Sequence, residues 1–115
     1  MLSAAELLER YRAHALVSGG EFYIRLPWAL EIPEACGKND LAIIGIEGFR
    51  REGGGIVPRL DMIADYSSRT MKDWAEGRDA CNHAAEEFLK SWNSEEGLLA
   101  NFTFLSRPSQ RKSGP

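Results

Sequence analysis

The chain has 115 residues, 43% of them apolar and 27% charged, with a formal charge of −3. That is enough for one domain with a core of its own, and the composition excludes disordered and collagen-like classes, while no stretch approaches the roughly 20 apolar residues of a membrane span. Setting aside the acid-free end with Arg107, Arg111 and Lys112 leaves 11 bases against 17 acids, a balance of −6 that argues against nucleic acid as a direct ligand and suits a basic partner.

In chain order, Ser3 and Glu6 have capping-box spacing ahead of Leu7 and Leu8, and Ala4, Leu7, Leu8, Tyr11 and Ala15 share one helical stripe. A first helix is therefore expected to about Val17, stopped by Gly19-Gly20. Glu21 to Leu26 alternates as a short strand. Pro27 and Pro33 then bracket Trp28 to Ile32, a short helix is expected within Trp28 to Gly37, and Gly37 to Asp40 is turn chemistry.

Leu41 to Arg50 and Ile56 to Tyr66 read as two strands of an antiparallel hairpin, joined by Arg51-Glu52-Gly53-Gly54-Gly55. A turn centred on Gly53-Gly54 sets Glu47 opposite Leu60, Gly45 opposite Met62, Ile43 opposite Ala64 and Leu41 opposite Tyr66, on a face turned to the helices. The other face then carries Ile44, Ile46, Val57 and Ile63 among Arg50, Arg59, Asp61 and Asp65. A competing pattern, Pro58 with Leu60, Ile63 and Ala64, fits a short helical turn.

Thr70 and Asp73 offer a start for a last helix carrying Met71, Trp74, Ala75, Cys81, Ala85, Phe88 and Trp92. Gly77 allows that helix to begin only after it. Asn101 to Leu105 closes the chain as a strand. The expected fold is α+β, two-layered, in the order α-β-α-β-β-α-β. A small, mainly antiparallel sheet has helices on one face, forming one domain over 1–106 with a polar basic tail at 107–115. Leu7, Leu8, Ile43, Leu60, Met62, Trp74, Phe88, Leu89 and Phe104 are the expected core.

No catalytic, cofactor-binding or metal-ligating set stands out. His14, His83, Cys36 and Cys81 have no ligand spacing, there is no GxSxG, and the glycine run lacks the lysine of a P-loop. The cysteines are expected reduced and buried, and the start of the chain has no secretory pattern, which points to the cytoplasm. Two readings of function follow. One is a protein-binding patch in which Ile44, Ile46 and Ile63 are rimmed by Arg59, Asp61 and Asp65, with Trp28 as a further anchor. The other is a small enzyme or ligand-binding domain with Glu47 as acid or base in a cleft between sheet and helices.

The run Ile43-Ile44-Gly45-Ile46-Glu47-Gly48-Phe49, with Ile56-Val57-Pro58, Leu60, Ile63-Ala64-Asp65-Tyr66-Ser67, Phe88-Leu89 and the closing aromatic strand, resembles small bacterial immunity-type proteins of polymorphic or contact-dependent toxin systems. The resemblance covers about two-thirds of the chain, in core and turn positions. It implies a non-enzymatic cytoplasmic protein that binds one cognate toxin, a basic nuclease being the toxin type that an acidic body suits. No catalytic residue is carried over from it; no cofactor and no membrane association are expected from the residues themselves, and the chain is expected as a monomer or a dimer.

Overall fold

The computed structural model describes residues 1–68, 72–92 and 97–108. Helix α1 spans Ala4–Glu9 and starts with the expected capping box. Ser3 Oγ accepts from the Glu6 N–H at 3.2 Å, and Glu6 Oε1 accepts from the Ser3 N–H at 2.9 Å. It does not reach Val17. A 3-10 turn at Arg12–His14 follows, and then β1, Ala15–Ser18, pairs with β2, Glu21–Arg25. Gly19 and Gly20 have φ of +57° and +79°, so the pair read as a helix stop is instead a two-residue hairpin turn.

Trp28–Glu31 forms a 3-10 turn and Ile32–Lys38 forms α2, with Pro33 in its first turn, where a missing N–H costs nothing. The central hairpin is β3, Leu41–Glu52, and β4, Gly55–Asp65, so Pro58 sits in an edge strand and not at a helix start. Helix α3 spans Trp74–Lys90, capped by Asp73, and therefore begins before Gly77; Thr70 and Met71 lie outside the described residues. Strand β5 is Leu98–Ser106.

The five strands of the described residues are antiparallel, in the order β1-β2-β5-β3-β4, so β5 lies inside the sheet. Ile24, Ile43, Ile46, Ala100 and Phe102 face the helices and form one core with Leu7 of α1, Ile32 and Cys36 of α2, and Ala85 and Leu89 of α3. The architecture is the expected two-layer α+β fold, with one more strand than expected. Cys36 and Cys81 are fully buried thiols, not joined in a disulfide, and burial pushes the Cys36 thiol up to about 12. Leu60, expected in the core, is 82% exposed, and Trp74 is only partly buried.

Two irregularities re-aim the side chains of the hairpin. Near the turn the expected register holds, with Glu52 opposite Gly55 and Gly48 opposite Arg59. Past Gly48 it jumps, and Glu47 pairs with Ile63, Ile46 with Ala64 and Gly45 with Asp65, leaving Leu60 to Met62 as a bulge on β4. The four pairs expected from Glu47–Leu60 to Leu41–Tyr66 are therefore not formed. A further bulge at Ile44 interrupts the ladder between β3 and β5. Because side chains alternate with period two, odd offsets exchange faces.

Where β4 ends, the N-terminal part of β3 loses its neighbour, and α3 takes over. Asn82 accepts from the Ile43 N–H and donates to the Leu41 carbonyl, both at 2.9 Å, and is itself buried. Next to it, Asp40 holds the turn into β3 at φ +55° and accepts from Arg107, from Trp74 Nε1 at 2.6 Å and from Arg78 at 2.8 Å. Arg107, assigned to the tail from sequence, is thus tied to the body, and Arg78, which breaks the apolar stripe of α3, has its reason.

The Arg107 hydrogen bonds, then those of Trp74 and Arg78, hold the Asp40 carboxyl well below the usual carboxylate range. A carboxylate depressed in the folded state stabilises the fold fully above its unfolded value of about 3.9, and that stabilisation is lost as pH falls through the lower folded value. Asparagine tolerates positive φ as aspartate does, so Asp40→Asn isolates the charge. The expected result is a variant less stable than wild type at pH 6, with the gap closing as unfolding is followed below about pH 4. A gap independent of pH would assign the effect to packing.

Candidate functional site

Face assignment decides what the hairpin offers to solvent. On the face away from the helices, Gly45, Glu47 and Phe49 of β3 lie in register with Asp65, Ile63 and Pro58 of β4 and with Thr103, Asn101 and Leu99 of β5. Tyr23 of β2 packs edge-on against Phe49 at 5.0 Å between ring centroids. Beyond Phe49 the surface sinks into a depression of about 300 Å³ lined by Ile44, Glu47, Ile63, Asp65, Ser67 and Thr103, with Gly45 in its lining. Glycine there supplies no side chain to fill the space.

The sequence-derived residues divide three ways. Ile44, Ile46, Ile63 and Asp65 all line this depression, although the Ile46 side chain is fully buried in the core and is no surface anchor. Arg59 and Asp61 pair with each other beside the β4 bulge, two contacts of 3.2 Å, and Arg59 shares the face of Gly48 and not that of Ile63. Trp28 lies apart, its ring stacked on His14 at 3.6 Å.

Glu47 is exposed on the open face, so it does not face the helices and the sheet–helix cleft expected around it is not formed there. Among the described residues its carboxylate meets no cation. Asp65 Oδ1 accepts from the Ser67 hydroxyl at 2.5 Å and from the Ser67 N–H at 2.8 Å, which holds its carboxyl below the ordinary value. The depression thus has two carboxylates, hydroxyls from Ser67 and Thr103, apolar walls and, among the described residues, no base in its lining.

Sequence reasoning missed Leu60, Gly45, Ser67 and Thr103. The alternation of Asn101, Thr103 and Leu105 against Phe102 and Phe104 carries the signal for Thr103. Nothing in the sequence marks the bulge that expels Leu60.

A larger groove of about 540 Å³ separates α1 from α2, lined by Tyr11, His14, Trp28, Glu31 and Glu34 among others. Two of its acids have partners within the groove. Lys38 pairs with Glu34 at 3.3 Å, and the Tyr11 hydroxyl donates to Glu31 at 3.3 Å; burial and then Glu31 push that hydroxyl above its ordinary value. Among the described residues His83, Glu86 and Glu87 bring possible ligand atoms within 4.8 Å on α3, but Glu86 is paired with Lys90 at 3.2 Å and the trio is open to solvent. No helix of the described residues is long and apolar enough to cross a membrane.

Comparison with known protein families, with curated proteins and with solved structures finds no match to this chain.

Proposed function

We propose that this chain is a non-enzymatic protein-binding domain that docks a basic protein on the open face and outer strand of its hairpin. The kind of partner is the one the hairpin sequence suggests: a cognate toxin, such as a basic nuclease, neutralised in the cytoplasm by tight binding to an immunity protein. The observation that carries the reading is the exposure of large apolar side chains on the outer strand. Leu60 is 82% and Ile63 47% exposed near Glu47, Asp61 and Asp65, while Val57, 42% exposed, lies on the other face opposite Arg50. Large apolar groups rimmed by charges are a common arrangement of interfaces, and acids facing a basic partner speed encounter.

The test is a side-by-side capture from host lysate by the wild-type chain and by a Leu60→Ser, Ile63→Thr double variant, which removes apolar surface without adding charge. Exposed positions tolerate such changes within about 0.5 kcal/mol each, so circular dichroism and the urea midpoint should barely move. Capture of a single basic partner is expected to fall roughly tenfold or more in the variant, as for loss of central apolar anchors. Equal capture by both proteins would exclude this face as the docking surface.

A further inference from the structure

Resting on that docking reading, we infer that the depression at Gly45 is a socket for one cationic side chain, arginine or lysine, presented by the protein partner. Glu47 stands opposite Ile63, and Asp65 is two residues further along β4, so the two acidic residues are diagonal neighbours on one face, a relation that sets backbone positions about 7–8 Å apart. A guanidinium or ammonium group placed between them is reached from both sides. Without it, two acids share a depression whose lining, among the described residues, holds no base, an arrangement that favours the arrival of a cation.

The rest of the lining suits the remainder of such a side chain. Ile63, half exposed, and Ile44 offer apolar cover for a methylene stem, while Ser67 and Thr103 offer hydroxyl oxygens to spare N–H groups. About 300 Å³ lies at the small end of ligand pockets, fitting one side chain better than a drug-sized molecule. The opening comes from the backbone: a Cβ on Gly45 would point at Thr103 from 3.4 Å and narrow the floor.

The experiment uses N-acetyl-arginine amide as probe, with N-acetyl-norleucine amide as its uncharged counterpart, and follows backbone amide resonances of the full chain. Saturable shifts at Gly45, Glu47, Asp65 and Thr103 are expected with the arginine compound alone. They should vanish in a Glu47→Gln, Asp65→Asn double variant, where asparagine keeps an acceptor for the Ser67 N–H and the dispersed spectrum reports that the fold is intact. Absence of shifts, or equal shifts with norleucine amide, would overturn the socket. The same double variant should bind the captured partner roughly tenfold more weakly. A partner that needs Leu60 and Ile63 but ignores this variant would overturn the socket and leave the docking face standing. A partner indifferent to Leu60 and Ile63 would remove the docking face, whatever the arginine probe does.

Discussion

Replacing Asn82 with leucine is expected to lower the stability of the domain by about 2–5 kcal/mol, because two buried backbone groups lose their partner at once. The Ile43 N–H and the Leu41 carbonyl lie on the β3 edge that β4 does not reach, and Asn82 supplies both the acceptor and the donor that a neighbouring strand would have given. An unsatisfied buried polar group costs about 1–3 kcal/mol, and leucine satisfies neither. Against the 5–15 kcal/mol typical of a whole domain, that is a large fraction. Asn82→Asp keeps the acceptor for Ile43 but loses the donor and adds a buried charge, so it should also be severely destabilised. Urea unfolding monitored by tryptophan fluorescence measures both; a loss below about 0.5 kcal/mol for leucine would mean that water or a shifted strand replaces the amide.

Gly48→Ala is expected to cost at least about 1–3 kcal/mol, the range for overpacking a well-filled core. A Cβ at that position would stand 2.5 Å from Met62 Cβ and 3.1 Å from the Trp92 ring, and neither contact is the loose end of a flexible chain. The matched control lies three residues away. Gly45→Ala would place its Cβ at 3.4 Å from Thr103, an ordinary contact, and should leave the unfolding midpoint nearly unchanged. Equal costs at the two glycines would contradict the packing around the β4 bulge.

That bulge also explains how far the sequence could be read. The Ser3–Glu6 cap, the glycine turn with Glu52 opposite Gly55, and the helix bearing Cys81, Ala85 and Leu89 were legible because each is a local pattern of three to eight residues. Ala15 to Val17 was misread, since its apolar residues continue a helical stripe and only pairing with β2 makes them a strand. The faces of the hairpin were not legible beyond Gly48. The approach of Met62 and Trp92 to Gly48 is a tertiary contact, and the three-residue slip beside it turns Ile63 and Asp65 onto the same face as Glu47. Two separate expectations, an apolar patch with acids and a lone glutamate in a cleft, thereby become neighbours in one depression. Trp28, named for its position between two prolines, belongs to a different surface against His14.

Hydrogen exchange of the wild-type chain, alone and with the partner it captures, tests the central claim most directly. Docking on the hairpin predicts slowed exchange at the amides of Gly45 to Phe49 and Ile63 to Asp65, with the amides around Tyr11, His14 and Trp28 unchanged. Protection confined to the groove between α1 and α2, with the hairpin unaffected, would contradict it.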